Sequence, residues 1–306
     1  MDTSSFFIKD KAIFGCFPTQ DSVIELEKQG VRYFIDLTDT HETKIVPYIT
    51  NYTYINYPIK DMYIPTEWQS YAKFIINICK IIRHLHTEEK IYVHCKGGCG
   101  RSGVVVASIL CHLFGLSPEE SLKYTTLCHS NRKTLKDRWR KIGAPQTYTQ
   151  KKFIYKFFFP LKFYKTYKYS NTFGFTNYST HTVYIDSIGE FPTAEAAFQA
   201  HKCLTNSDYV KSQINAKTPL VSRYLGTKIT DSTDWNNMKI EIMENIIQLK
   251  FEQHEDFRTN LLNTGLRPIV EHSKDDSFWG DGIDGKGQNI MGKILTNIRN
   301  RYYENA

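Results

Sequence analysis

The run Val93-His94-Cys95-Lys96-Gly97-Gly98-Cys99-Gly100-Arg101-Ser102-Gly103 constrains this chain more than any other stretch. A short β-branched and aromatic segment, residues 90–94, precedes it, and an apolar segment of helical length, residues 103–114, follows it. A glycine-rich turn from strand to helix lets backbone N–H groups converge on one anion at a helix N-terminus. Gly97, Gly98 and Gly100 permit the tight turn and a close approach of backbone to ligand. The same dipoles favour the thiolate of Cys95, which can attack phosphorus and form a covalent phosphocysteine. Arg101, six positions on, can return across the loop and grip two phosphoryl oxygens in a fork. Ser102 is placed to hydrogen-bond Cys95 and ease its departure in the second step, and His94, Lys96 and Cys99 complete the candidate loop. A lone Gly-x-Gly would suit a plain turn around a buried cysteine; the full string, set between strand and helix, points to phosphoryl transfer.

The rest of the first half alternates strands and helices. Residues 31–37 form a β-branched and aromatic run, and residues 67–86 place Ala72, Ile75, Ile76, Cys79 and Ile82 at helical spacing after the start signal Pro65-Thr66. Gly115 sits where a helix stop is expected, and Ser117-Pro118-Glu119-Glu120 opens another helix with proline and acids in its first turn. This alternation predicts an α/β domain, a central sheet flanked by helices. Pro160 ends whatever helix precedes it. The aromatic and lysine-rich residues 153–169 then read as a last helix and a connector, and Pro160 interrupts any membrane-surface helix. The expected division is 1–160, a linker over 161–170, and 171–306, and 306 residues suffice for two cores.

The second half has a mixed, mainly helical texture. A helix is expected from residue 191 through Lys202, and a longer one over 234–251 with Trp235, Met238, Ile242, Ile246 and Leu249 on one side. A Gly- and Asp-rich loop covers 275–292, and a closing helix 290–303.

Composition narrows the class. No stretch reaches the roughly 18 uninterrupted apolar residues of a membrane span. The first residues lack the basic start and apolar run of a secretory signal, so an intracellular, cytoplasmic or nuclear protein is expected. Seven cysteines at irregular spacing predict reduced thiols, and no zinc spacing appears, so neither metal nor cofactor is expected. Residues 1–160 carry 22 Lys and Arg against 15 Asp and Glu, the remainder 17 against 17. The net charge of +7 therefore belongs to the first half, which suits an anionic substrate.

With these residues on view, residues 1–160 resemble a dual-specificity protein tyrosine phosphatase. Gly143-Ala144-Pro145-Gln146-Thr147-Tyr148-Thr149-Gln150, followed by Phe153-Ile154, resembles the family's final helix. Together with the Gly97-Gly98 pair it is most similar to the cyclin-dependent kinase-associated phosphatase, while Lys96 after the nucleophile is similar to lipid phosphatases of the superfamily. The family protonates its leaving oxygen from an aspartic acid on a mobile loop. Tyr57-Pro58-Ile59-Lys60-Asp61-Met62-Tyr63-Ile64-Pro65 resembles that loop, which implies Asp61 as general acid. Asp36 and Asp39 follow a strand and read as structural. Gln150 is expected either to position the hydrolytic water or to sit on the surface, and Cys99 either to form a protective disulfide or to be an inert buried thiol.

The second half resembles the NADAR family, the YbiA-like N-glycosidases. The resemblance rests on Thr193-Ala194-Glu195-Ala196-Ala197-Phe198-Gln199-Ala200-His201-Lys202, Asp234-Trp235, Met243, Lys250-Phe251, residues 261–265, Ile269-Val270-Glu271, residues 276–282, Gly287-Gln288-Asn289 and Arg299. It departs from the family at Ala196-Ala197, where a histidine often follows the helix glutamate. The resemblance implies an α+β fold and cleavage of an N-glycosidic bond to ribose, in ADP-ribose conjugates or phosphorylated riboflavin precursors. Glu195, Asp276 and Glu271 are the candidate carboxylates for an oxocarbenium-like transition state. Trp235 and Trp279 are candidates to stack on a base, Lys202 and Arg299 to meet phosphates, and Asn289 to complete the binding set.

Two classes of function follow. One is a bifunctional enzyme, a phosphatase of phosphoproteins or of phosphorylated nucleotides or ribose, fused to an N-glycosidase. The other is a phosphatase brought to its target by a non-catalytic module that binds ADP-ribose. In neither is a membrane a partner, and nucleic acid enters only as an ADP-ribosylated substrate.

Overall fold

The computed structural model describes residues 3–39, 41–43, 45–164, 170–230 and 233–305. The chain forms two compact units, Met1–Phe159 and Pro160–Ala306. Among the described residues no helix is long and apolar enough to cross a membrane.

The first unit is a five-stranded sheet flanked by helices. Its strands are β1 (Ser4–Ile8), β2 (Ala12–Gly15), β3 (Val31–Asp36), β4 (Thr53–Asn56) and β5 (Lys90–His94), in the order β1-β2-β5-β3-β4. Only β1 and β2 run antiparallel; β5 pairs in parallel with β2 on one side and β3 on the other. Ile91, Tyr92 and Val93 are buried, as an apolar central strand of a parallel sheet requires. The helices are α1 (Gln20–Lys28), α2 (Trp68–His84), α3 (Gly100–Phe114), α4 (Pro118–Ser130), α5 (Asp137–Ile142) and α6 (Tyr148–Phe158). The face expected for α2 is buried, Ala72, Ile75, Ile76, Cys79 and Ile82 together.

Helix α3 is the axis of this unit. Residues 101–111 are buried all round, packed against α2, α4 and α6. It begins three residues before the expected start because the glycine-rich loop closes directly into its first turn, Gly103 N–H donating to the Cys99 carbonyl at 3.2 Å. Gly115 ends it in the left-handed conformation. Capping boxes open α4 (Ser117 with Glu120) and α6 (Thr147 with Gln150). Phe153 of α6 packs edge-on against Trp68 and Tyr71 of α2, and Phe157 packs edge-on against Trp68 and tilted against Tyr71, fixing α6 across α3.

The second unit is an α+β assembly dominated by helices. Its strands are β6 (Leu161–Phe163), β7 (Val183–Ile185), β8 (Gly189–Phe191) and β9 (Ile269–Glu271). Its helices are α7 (Ala194–Ala200), α8 (Ser207–Ile214), α9 (Pro219–Thr227), α10 (Thr233–Gln253), α11 (Glu255–Leu262) and α12 (Ile290–Asn305). The segment expected as a linker opens as β6, paired in parallel with β9. A three-residue strand is too short to stand out from an aromatic run, and its partner lies more than a hundred residues away; residues 165–169 of the expected linker lie outside the described residues.

Every residue of α7 is buried, so this helix is the centre of the unit, capped by the Thr193 hydroxyl accepting from Ala196 N–H at 3.1 Å. It stops at Ala200, with a 3₁₀ turn, His201–Cys203, in place of the expected continuation. In α10 the buried side is Trp235, Met243, Ile246, Ile247, Lys250 and Phe251, whereas Met238 is 48% exposed. The expected face was therefore rotated, because α10 buries a lysine that hydropathy assigns to solvent.

Candidate functional site

Each unit has its own site. In the first, β5 delivers Cys95 to the N-terminus of α3. The thiol is buried, and Ser102 Oγ lies 3.5 Å from its sulfur. Gly98 has φ +64°, and a Cβ there would stand 2.2 Å from the Gly15 carbonyl carbon, so the loop can close on β2 only with glycine. Lys96 is exposed at the rim and donates to the Thr43 carbonyl at 3.0 Å. Gly97 is exposed, and its carbonyl accepts from the Cys16 thiol at 3.5 Å.

Arg101 returns across the loop with 1% exposure. Its Nη1 donates to the Ile59 carbonyl at 3.0 Å and the Leu37 carbonyl at 3.3 Å. Both terminal nitrogens meet the Glu42 carboxylate, Nη2 at 3.1 Å. Nη2 also lies 3.0 Å from Asp61 Oδ1, whose side chain is 58% exposed. The Nε atom of Arg101 is buried and has no hydrogen-bond partner among the described residues. Burial pulls the Glu42 carboxyl upward, but hydrogen bonds from Arg101 and the Asp39 backbone outweigh it and hold the group below its ordinary range.

Two expectations change here, those for His94 and Gln150, while Cys99 is a buried thiol, one of its two expected states. His94 is fully buried on the opposite side of the strand from Cys95, its Nε2 2.7 Å from the Tyr48 hydroxyl and its ring against Phe17 and Tyr92. Strand alternation turns it into the core and away from any substrate, and burial pushes its pKa down to about 4. Gln150 is buried rather than superficial. It caps α6, packs on Gly100 and donates to the Tyr63 carbonyl at 3.1 Å, so it fastens the loop that carries Asp61. The Cys99 thiol donates to the Gly143 carbonyl at 3.1 Å, and burial, reinforced by Cys95, pushes its pKa up to about 12. Asp36 is structural: it accepts from Thr38 N–H and Oγ1, both at 2.8 Å, and from the Tyr54 hydroxyl at 2.6 Å.

Two residues of this site were missed. Glu42 had no motif around it to separate it from any solvated acid. Arg132, buried at the end of α4, donates to the Gly98 carbonyl at 2.6 Å, the Phe14 carbonyl at 3.0 Å and Ser5 Oγ at 3.3 Å, tying the loop to β1 and β2.

The second unit holds a cavity of about 350 Å³. Six of the residues expected to act there line it: Glu195, Lys202, Trp235, Glu271, Asp276 and Trp279. Glu195, in the first turn of α7, is buried and accepts from Asn177 Nδ2 at 3.0 Å and Gln199 Nε2 at 2.9 Å. Burial pushes its carboxyl above the ordinary range even so. Glu271 is pushed up to about 7, by burial first and then by the Asp276, Glu195 and Asp281 carboxylates. Asp276 accepts from the N–H groups of Phe278 at 2.9 Å and Trp279 at 2.8 Å, which fixes the glycine-rich loop at the mouth. The rings of Trp235 and Trp279 pack on Phe198 of α7, with centroids at 4.8 and 5.5 Å. Lys202 Nζ donates to the Gly226 carbonyl at 3.2 Å and stands 5.5 Å from the Trp235 ring centroid.

Two residues expected in this site stand outside the cavity lining. Arg299 is 1% exposed and donates to Thr264 Oγ1 and the Arg267 carbonyl, both at 2.8 Å. It therefore braces α12 and does not meet a phosphate. Asn289 accepts from Glu271 N–H and donates to the Ile269 carbonyl, both at 2.9 Å, and so clamps β9 and orients Glu271. Arg223, Asn177, Tyr178 and Lys239 also line the cavity and were missed. They come from α9, a loop and α10, and no spacing along the chain joins them.

Residues 11–113 match the family described as polymorphic toxin system, DSP-PTPase phosphatase, and residues 162–302 match the NADAR domain family. The chain is similar to "Putative tyrosine phosphatase 197R" of Invertebrate iridescent virus 6, 32% identical over 297 residues, covering 96% of this chain and 90% of that one. It is also similar to N-glycosidase YbiA of Shigella flexneri serotype 5b, 33% identical over 142 residues, covering 45% of this chain and 86% of that one. Among solved structures it is similar to a kinase associated phosphatase with a serine substituted for its catalytic site cysteine, at 19% identity and a TM-score of 0.39, covering 51% of this chain and 92% of that one. With nine-tenths of the viral relative covered in one alignment, the chain belongs to the family of the iridescent virus protein 197R, a dual-specificity-type phosphatase domain followed by a NADAR, or YbiA-like, domain.

Proposed function

We propose that the first unit hydrolyses phosphomonoesters through a phosphocysteine on Cys95. The observation that carries this reading is the buried, unpartnered Nε of Arg101 in the loop that also holds the Cys95 thiol at the N-terminus of α3. An anion seated there would receive that donor, the loop N–H groups and the positive end of the helix. The Cys95 sulfur attacks phosphorus, the ester P–O bond breaks, and Asp61 gives its proton to the departing oxygen. Water then attacks the phosphocysteine, Asp61 takes its proton, and the S–P bond breaks to release phosphate and thiolate. Ser102, 3.5 Å from the sulfur, donates to that thiolate.

Phosphate release from an activated aryl phosphate at mildly acidic pH tests this reading, with wild type set against Cys95→Ser. Turnover by wild type alone supports it, and turnover by both removes Cys95 from the reaction. Asp61→Asn slows alkyl phosphates far more than the activated aryl ester; equal losses exclude Asp61 as the acid.

For the second unit we infer action on ribosyl conjugates of the ADP-ribose type. Glu271, pushed up to about 7 and so partly protonated at neutral pH, is suited to assist the leaving base, while Glu195 and Asp276 face the same cavity and can stabilise positive charge on ribose. Lys202 and Arg223 supply cations for phosphates, and Trp235 and Trp279 supply rings. A binding module without catalysis is favoured by one observation, that both oxygens of Glu195 are already held by amide donors. Product analysis separates the two. Free base or ribose released by wild type but not by Glu195→Gln or Asp276→Asn supports catalysis; binding without product supports the module.

A further inference from the structure

Beside the phosphate loop, inside the first unit, lies a second cavity of about 330 Å³. Gly97 and Cys99 of the loop form part of its wall, with Gln146, His129, Leu135 and Trp139 among the others. His129 is 1% exposed, and among the described residues neither of its ring nitrogens has a hydrogen-bond partner. The Trp139 backbone acts on the ring only as a polar neighbour, outside hydrogen-bond geometry, and its carbonyl accepts from Gly143 N–H at 3.1 Å. Burial pushes His129 down to about 4, so near neutral pH the imidazole offers one donor and one acceptor.

A buried ring with both polar atoms unmatched calls for a ligand that supplies the match. The cavity offers no buried cation free for a second phosphate. Arg132 already donates from each of its three nitrogens within the protein, and Lys136, the other cation on the wall, is exposed. Leu135 and the half-buried indole of Trp139 instead favour a flat, uncharged ring with polar atoms at its edge. A phenyl ring lacks that edge, whereas a purine carries both donors and acceptors around its rim.

We propose that this cavity is a base subsite, which makes the phosphatase substrate a nucleotide whose phosphomonoester sits on the Cys95 loop while its base rests against Trp139 and hydrogen-bonds His129. The proposal rests on the phosphatase reading of the first unit and specifies its substrate class.

The test compares adenosine 5′-monophosphate, ribose 5-phosphate and para-nitrophenyl phosphate with the full chain. Wild type should favour the nucleotide over the sugar phosphate by about tenfold or more in kcat/KM, as expected for one stacked base or one matched buried group. His129→Leu and Trp139→Ala should each erase that preference through KM, with para-nitrophenyl phosphate turned over as by wild type. Equal kcat/KM for nucleotide and sugar phosphate in wild type overturns the subsite and leaves the phosphatase reading standing. Parallel losses on all three substrates also overturn it, since they mark a structural role. If no phosphate ester is turned over, the phosphatase reading itself fails. Calorimetry with adenosine then decides the cavity: heat seen with wild type and lost in both variants sustains the base site, and no heat, or equal heat in all three proteins, removes it.

Discussion

Arg101 and Glu42 form a two-pronged ion pair, with both terminal guanidinium nitrogens on one carboxylate and both side chains largely buried. The pair takes up the Nη edge of the arginine and leaves Nε for the anion cradle. Glu42 is thus a positioning residue: it sets the orientation of the group that the proposed reaction places against phosphate.

Glu42→Gln should keep the shape of the side chain and lose the charge. Removing one partner of a largely buried pair leaves the Arg101 cation with only the more exposed Asp61 as counter-charge, costing roughly 3–5 kcal/mol at full burial and less here. The guanidinium would then shift, and a shift of about 1 Å can cost about 10²-fold in rate. Kinetics on para-nitrophenyl phosphate should show a lower kcat and a higher KM, both partly restored by Glu42→Asp. Because the Glu42 carboxyl titrates below its ordinary 4.5, its stabilising contribution is present above that pH and is lost as pH falls through the lower, folded-state value. Acid melts of wild type and Glu42→Gln should therefore converge below about pH 4.5.

Gly98→Ala tests the loop itself. The left-handed backbone costs a non-glycine residue about 1–2 kcal/mol, and the added Cβ meets backbone at 2.2 Å, which no side-chain motion relieves. The melting temperature should fall, and phosphatase turnover should fall further, since the loop cannot close on β2. Gly97→Ala is the control, because a Cβ there meets nothing within 4 Å.

Much of this site was legible because the glycine-rich loop is a local object: the candidate nucleophile, glycines and arginine lie within seven consecutive residues, 95–101. Local sequence also marks helix starts: Ser117 caps α4 where it was expected, while the helix expected from residue 191 starts at Ala194 behind its cap Thr193. What escaped depends on distance along the chain. Glu42 reaches Arg101 across 59 residues, and Arg132 reaches Phe14 across 118. His94 was legible as a strand residue, and the two-residue period of that strand places it opposite Cys95. Arg299 had the right chemistry for a phosphate, but burial and two internal acceptors give it a bracing role. Lys250 misled the reading of α10 because hydropathy assigns lysine to solvent.

Lys250 explains how the cavity of the second unit keeps its shape. It is fully buried, and its Nζ donates to the Gly174 and Thr176 carbonyls and to Ser179 Oγ. It therefore organises the segment that presents Thr176, Asn177 and Tyr178 to the cavity. Burial pushes it down to about 7 from 10.5, so between these values the unfolded chain binds more protons than the folded one. Stability should rise with pH across that window. Lys250→Met should flatten this rise in thermal melts and free Asn177 from Glu195, read as weaker binding of ADP-ribose in calorimetry.

The opposite slope belongs to Glu271. Its folded value near 7 lies above the ordinary 4.5, so between the two the folded chain holds a proton that the unfolded chain has lost. Stability should fall as pH rises through this window, because the folded state must then bury a charge among neighbouring carboxyl groups. His94, pushed down to about 4, works against this below pH 6.5, so the difference between wild type and variant isolates the effect. Glu271→Gln should remove the descent and become relatively more stable as pH rises toward about 7 and above. If Glu271 is also the acid that assists the leaving base, N-glycosidic cleavage should decline above about pH 7 in wild type, while Glu271→Gln should be slow at every pH. Parallel melting curves for wild type and Glu271→Gln across the whole range would show that the carboxyl titrates as it does in the unfolded chain, and would remove it as the proton donor.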